Sequence, residues 1–156
     1  MPVLVPMSEA DYAAFAESTV PAYAADKVAS GQWAQEQALE LARKALTDLL
    51  PDGLRTAGHY LYTIQDDLSQ PVGRLWIAVQ ARGDGRVAYV YEVAIRPEHR
   101  RQGHAARALR AAEHEARTLG LSGIALHVFG HNPGAIAMYE KLGYRMTNIN
   151  MFKALA

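Results

Sequence analysis

The stretch Val93-Ala94-Ile95-Arg96-Pro97-Glu98-His99-Arg100-Arg101-Gln102-Gly103-His104-Ala105 joins an apolar run to a run of helix formers through a short polar loop. It reads as a strand entering a turn that opens a helix. The first turn of a helix presents backbone N–H groups without intrahelical acceptors, together with a partial positive charge. Here that turn holds Gly103, which has no side chain, and the small Ala105 and Ala106. Arg100 and Arg101 add fixed positive charge, and the combination makes a pocket for a pyrophosphate. Taken alone, Arg100 to Ala105 also suits an ordinary strand-to-helix turn with solvated arginines, so the flanking sequence decides.

Upstream of the turn, Val87 to Ile95 is a strand rich in Val, Tyr and Ile, and Gly83-Asp84-Gly85 is a hairpin signal. Pro71 to Gln80, carrying Leu75, Trp76, Ile77 and Val79, is the strand before it, and His59 to Gln65 the one before that. The three make an antiparallel meander. Further back the pattern is helical. Residues Ala38, Leu41, Ala42, Ala45 and Leu49 repeat at helical spacing from about Trp33 to Leu50, where Pro51-Asp52-Gly53 ends the run. Ser8 reads as the N-cap of a first helix, with Asp11 three residues on and Tyr12 and Phe15 as apolar anchors. Pro21 is expected to kink or split that helix. Val3 to Met7 suits a short edge strand.

Downstream, a helix from about Gly103 to Leu119 places Ala105, Leu109, Ala112 and Ala116 on one face, and Gly120 caps it. Ile124 to Phe129 reads as a strand, Pro133 to Leu142 as a short helix with proline in its first turn, and Tyr144 to Phe152 as a last strand. A meander followed by a strand–helix–strand unit predicts an α+β domain over 1–156: a mixed, mostly antiparallel sheet flanked by about four helices.

Composition narrows the function. The 156 residues match one ordinary domain, and half of them are apolar. Sixteen basic side chains balance sixteen acidic ones, which argues against a nucleic-acid partner. With no cysteine there is no disulfide framework, thiolate metal site or cysteine nucleophile. His99, His104 and His114 lack acidic partners at ligand spacing on one helix face, so no metal is expected. No apolar run approaches the roughly 20 residues of a membrane span, and MPVLVPMSEADY lacks signal-peptide features, so a cytoplasmic protein without a membrane partner is expected. Gly103-x-Ala105-x-x-Ala108 loosely suits a dinucleotide fingerprint, but the next strand, Ile124 to Phe129, carries no carboxylate for a ribose.

Arg100 to Ala105 matches the pattern [QR]-x-x-G-x-[GA], and Val93, Ile95 and Pro97 match its usual lead-in. A second pattern, N-x-x-A-x-x-x-Y-x-x-x-G-[FY], is met at every fixed position from Asn132 to Tyr144. With both in order, residues 59–152 resemble the GNAT superfamily of acetyl-CoA-dependent N-acetyltransferases; residues 1–55 share only its layout and form a helical, acceptor-side region. The resemblance implies a sheet splayed between its fourth and fifth strands. It implies that Val93 and Ile95 line the pantetheine arm through their backbone, that Arg100 lends its charge, and that the pyrophosphate rests on the N–H groups of Arg101, Gly103, His104, Ala105 and Ala106. Asn132 would bond the arm, and Tyr139 would deliver a proton to the leaving thiolate. Glu92, an acid in an apolar strand, is a candidate base, the alternative being a carboxylate paired with a nearby Arg or His. Alternation places it opposite Tyr91 and Val93 unless a β-bulge intervenes. His127 and His131 are candidate relays, and His59, Tyr60, Tyr62 and Trp76 candidate acceptor-site walls; ordinary packing explains each as well. The expected activity is acetyl transfer to a primary amine by direct attack in a ternary complex; the alternative is a sensor that binds acetyl-CoA without catalysis. Apolar surface on the last strand and the helices makes a homodimer possible.

Overall fold

Ser8 shows the local chemistry at work. Its hydroxyl accepts the Asp11 N–H at 3.1 Å while the Asp11 carboxylate accepts the Ser8 N–H at 3.4 Å, a reciprocal cap that starts helix α1, Glu9–Ala29. The computed structural model describes residues 2–156. Helix α1 runs unbroken through Pro21, against the expectation of a split. Pro21 sits on the exposed side of α1, whereas Val20 and Ala24 are buried against helix α2, Gln35–Leu49, and that tertiary packing holds the helix together across the proline.

Strand β1, Leu4–Pro6, lies at one edge of a five-stranded sheet whose order follows the chain: β1, β2 (His59–Gln65), β3 (Pro71–Arg82), β4 (Gly85–Ile95) and β5 (Ile124–Leu126). The first three junctions are antiparallel and the last is parallel. Arg82 pairs with Gly85, so Gly83-Asp84 is a two-residue hairpin loop, and Gly83 takes the positive φ of 60° that such a loop demands. Helix α3, His104–Thr118, lays Ala108, Leu109, Ala112 and Ala116 on one face of the sheet against Ile64, Leu75, Ile77 and Val90. Helix α4, Pro133–Lys141, adds Met138 and Tyr139 to the same cluster. Helices α1 and α2 cover the other face through Phe15, Leu50, Leu61 and Trp76.

Two strands differ from the expected pattern. β5 stops at Leu126 rather than Phe129, because its parallel pairing covers only Ala88–Val90 against Ile124–Leu126. Beyond that point β4 continues to Ile95 without a β5 partner, and this is the splay between the fourth and fifth strands. The expected last strand, Tyr144 to Phe152, does not form: these residues carry no regular structure. The Tyr144 N–H bonds the Tyr139 carbonyl at 3.0 Å, and among the described residues nothing after it is hydrogen-bonded to the body.

Candidate active site

A single helical turn, Pro97–His99, leads from β4 to the start of α3. Arg101 and Gly103 then both adopt left-handed backbone, at φ 61° and 83°. Such alternation turns successive N–H groups to one side, an anion-binding arrangement. The N–H groups of Arg101 to Ala106 have no acceptor among the described residues, and the first one taken up belongs to Arg107, which bonds the Gly103 carbonyl at 3.1 Å. A Cβ built on Gly103 would meet nothing within 4 Å, so glycine is needed there for its φ and leaves the space beside the N–H row open. Holding a non-glycine residue, Arg101, in this region costs about 1 kcal/mol and marks a strained turn.

The side chains around the turn divide in role. Arg101 is exposed and has no side-chain partner among the described residues. Arg100 folds back, its Nε donating to the Ile95 carbonyl at 3.1 Å. The buried His104 ring lies 3.3 Å from Gln102 Oε1 and 3.4 Å from Arg107 Nη1, and Arg107 is tied to Asp67 at 2.9 Å. Ala105 and Ala106 are half-buried.

The open edge of β4 leads to this turn. Val93 and Ile95 pack toward α3, so the unpaired edge between them offers backbone rather than side chains. Asn132 precedes α4 and its carbonyl accepts the Ile136 N–H at 3.1 Å, while its side-chain amide has no partner among the described residues. Tyr139 lines a cleft of about 1390 Å³ together with Tyr89, Ala125, His127 and Phe129. Its ring packs edge-on to Tyr144 at 5.7 Å, and burial pushes its phenol above the ordinary range. Tyr139 is therefore a protonated donor throughout the neutral range.

The opposite face of β4 holds Glu92. The register slips between Trp76 and Ile77, which pair with Glu92 and Val90, and leaves Tyr91 as the extra residue of a β-bulge. The bulge overrides simple alternation. Tyr91 and Glu92 both face α1 and α2, with Tyr91 stacked on Trp76 at 4.6 Å. Both Glu92 oxygens are engaged: Oε1 with Arg74 Nη2 at 3.0 Å, Oε2 with Arg74 Nε at 3.1 Å and the Thr19 hydroxyl at 2.9 Å. Arg74 also donates to the Ser18 hydroxyl and lies over the Phe15 ring at 5.5 Å. Sequence reasoning missed Arg74 and Thr19; the signal was an arginine two residues before Trp76 on the neighbouring strand.

An aromatic row continues along this face. His59 Nδ1 accepts the Trp76 indole N–H at 2.9 Å, Tyr91 stacks on His59 at 5.7 Å, and Tyr89 meets Tyr91 edge-on at 4.8 Å. Burial holds His59 below its ordinary range, so it stands as a neutral acceptor. Tyr60 and Tyr62 point the other way, toward α3. His127 meets the Phe129 ring edge-on at 4.8 Å, and His131 reaches across to Asp26 of α1 at 3.1 Å. Lys27 lies over the Tyr23 and Trp33 rings at 5.6 and 5.5 Å.

A sheet opened beside a strained helix start with a row of N–H groups left without acceptors among the described residues, and a protonated phenol nearby, is the layout of an acetyltransferase. The Acetyltransferase (GNAT) family model matches residues 22–144, and the chain belongs to that family. It is 35% identical over 153 residues to an uncharacterized N-acetyltransferase of Bacillus subtilis (strain 168), YycN, spanning 98% of each chain. A second relative from the same organism, the uncharacterized N-acetyltransferase YdgE, is 34% identical over 149 residues, 96% of this chain and 95% of that one. The crystal structure of YycN superposes with a TM-score of 0.93 over 98% of both chains. A structure described as a putative acetyl transferase from Pyrococcus furiosus, 23% identical, shares the fold, with a TM-score of 0.72 over 97% of this chain and 98% of that one. The chain is thus an acetyltransferase.

Proposed function

We propose that this acetyltransferase uses acetyl-CoA as donor and a primary amine as acceptor. The observation that carries the reading is the row of unpaired N–H groups from Arg101 to Ala106, set at the end of an open strand edge. These residues fit the donor's shape: N–H groups for a pyrophosphate, with Arg101 adding charge, and the backbone of Val93 and Ile95 for an amide-containing arm. Gly103, His104, Ala105 and Ala106 contribute through backbone, Arg100 through charge beside the strand end, and Asn132 through its unpartnered amide. When bound, acetyl-CoA supplies an activated acyl group on a thiol leaving group.

The chain's own residues do the rest. Tyr139 holds a proton at its hydroxyl for the departing thiolate, a contribution of about 10²-fold. The amine attacks directly in a ternary complex, approaching from the aromatic face of Tyr89, Tyr91, Trp76 and His59. A cationic or partly apolar amine suits that wall. We assign Glu92 to positioning, since an arginine and a hydroxyl occupy its oxygens: it ties α1 to β3 and β4 beside the bulge, and the amine's proton leaves through water.

The test is thiol release from acetyl-CoA with a panel of polyamines, small amines, amino acids and peptide amino termini. The chain contains no cysteine, so a thiol reagent reads the product alone. Amine-dependent release supports the reading. Tight acetyl-CoA binding with no release on any amine would overturn the amine as acceptor.

A further inference from the structure

Residues 127–131 part from β4 after Leu126 and form neither strand nor helix. They end in a turn, closed by the Asn132 N–H on the Phe129 carbonyl at 3.0 Å, that leads straight into α4. With residues 29–32 at the end of α1, they line the cleft that also holds Tyr139. Among the described residues one side-chain hydrogen bond joins α1 to this segment: His131 Nε2 to Asp26 Oδ1 at 3.1 Å. Of the six histidines, His131 alone meets a carboxylate at ion-pair distance among the described residues. Lys27, next to Asp26, is engaged elsewhere, bonded to Gln32 Oε1 at 2.9 Å and lying over the Tyr23 and Trp33 rings. A carboxylate only accepts hydrogen bonds, so Nε2 of His131 carries the proton, and in the neutral ring Nδ1 keeps its lone pair. That Nδ1 has no partner among the described residues, and the ring plane is held by a stack on Phe129 at 5.3 Å. The side chain is 34% exposed, so water reaches it.

We propose that His131, oriented by Asp26, receives the proton that the acceptor amine loses. The inference rests on the amine as acceptor, proposed above, and names where the proton goes once it has left through water. A carboxylate on one ring nitrogen fixes the tautomer and leaves the other nitrogen as the base. The placement suits this role. His131 stands one residue before Asn132, and Tyr139 is the seventh residue of α4. From Asn132 to Tyr139 the helix rises about 10 Å. Long helical side chains lean toward the N-terminal end, so the Tyr139 phenol reaches back along α4 toward His131. The gap between the two groups suits the reacting carbonyl, the amine and one water, and a base acts through one water as well as directly. The step balances. The neutral amine's nitrogen bonds the acetyl carbon as the carbon–sulfur bond breaks, and that bond's electron pair stays on sulfur. The nitrogen sheds one proton, through water, to His131 Nδ1, while Tyr139 gives one proton to sulfur. Proton return from the imidazolium to the tyrosinate restores both side chains, leaving an amide and a thiol.

His131→Gln separates the chemistry from the contact. A glutamine amide still donates to Asp26 but offers no atom that takes a proton at neutral pH. With an amine that the wild type acetylates, kcat is expected to fall about 10²-fold while acetyl-CoA affinity and Tm stay nearly unchanged. The acidic limb of the kcat/KM profile for the amine should disappear with it. Asp26→Asn should lower kcat less than His131→Gln does, since it removes the orienting carboxylate and keeps the ring. In His131→Ala, added imidazole should restore amide formation, read by the mass of the product. An H131Q chain that turns over like the wild type or keeps the acidic limb overturns the inference. So does an H131A chain that imidazole does not restore, or a loss of kcat matched by an equal loss of acetyl-CoA affinity. A wild type that releases no thiol with any amine fails the acceptor reading and takes this inference with it. The variants are compared on an amine that the wild type uses, so their results bear on His131 alone.

Discussion

Replacing Glu92 with glutamine separates a positioning acid from a base. The change keeps the shape of the side chain and removes its charge. The amide oxygen can still accept from Arg74 Nη2, but the amide NH₂ then faces the Arg74 Nε–H, a donor against a donor, while the Thr19 hydroxyl must turn from donating to accepting. The side chains of Arg74 and Glu92 are 23% and 18% exposed. Their pair therefore lies between a fully buried one, whose breaking costs about 3–5 kcal/mol, and a surface pair worth about 1 kcal/mol or less. An expected loss of about 2 kcal/mol follows, lowering the Tm by about 4–8 °C for a chain of this length. Thermal unfolding of Glu92→Gln, Arg74→Met and the double variant at pH 7 measures it, with a coupling of about 1–2 kcal/mol expected between the two sites. Turnover with a responsive amine should fall modestly, with its pH profile unmoved. An unchanged Tm together with loss of the acidic limb of that profile would refute the positioning role and make Glu92 the base.

Tyr139→Phe is expected to lower kcat by about 10²-fold while leaving acetyl-CoA affinity nearly unchanged, as read by steady-state kinetics and calorimetry. Because burial raises the Tyr139 phenol, activity that depends on its proton should persist through neutral pH and decline only above pH 10; a Tyr139-dependent decline below pH 9 would contradict the assignment. Gly103→Glu should abolish acetyl-CoA binding by setting bulk and negative charge beside the N–H row, and its strained φ should also cost about 1 kcal/mol in an unfolding assay. Gly73→Ala should destabilise by about 1–3 kcal/mol, because the added Cβ meets the Ala94 carbonyl oxygen of β4 and the Ile95 side chain; an unchanged Tm would mean that β3 and β4 part more easily than their pairing implies.

What the sequence disclosed and what it withheld follow from the range of the forces involved. The Ser8–Asp11 cap, the Gly83-Asp84 loop and strand His59–Gln65 rest on chemistry within a few residues, and their patterns were readable directly. The turn from Arg100 to Ala106 was readable as the start of a helix because a glycine and small residues after a strand act within a few residues. The bulge at Tyr91 was not, since it arises from pairing with Trp76 and Ile77 on another strand. The same slip decides that Glu92 faces Arg74, so the pairing of this acid stayed open until the register was known. β5 looked longer than it is because Phe129 and Val128 have strand character but diverge from β4. Tyr144 to Phe152 has strand character with no strand beside it in its own chain. Pro21 weighed against a continuous α1 on local grounds alone, and the packing of Val20 and Ala24 on α2 outweighed it.

The N–H groups at the head of α3 are where acetyl-CoA binding reads out most directly. An ¹H–¹⁵N spectrum recorded during titration with acetyl-CoA observes those groups one by one. The amides of Arg101 to Ala106 should shift most, along with those of Val93 and Ile95, while the amides of Gly31 and Gly120, at other positive-φ turns, stay in place. Saturable binding that leaves Arg101 to Ala106 unmoved and shifts other regions would contradict the assignment of the site.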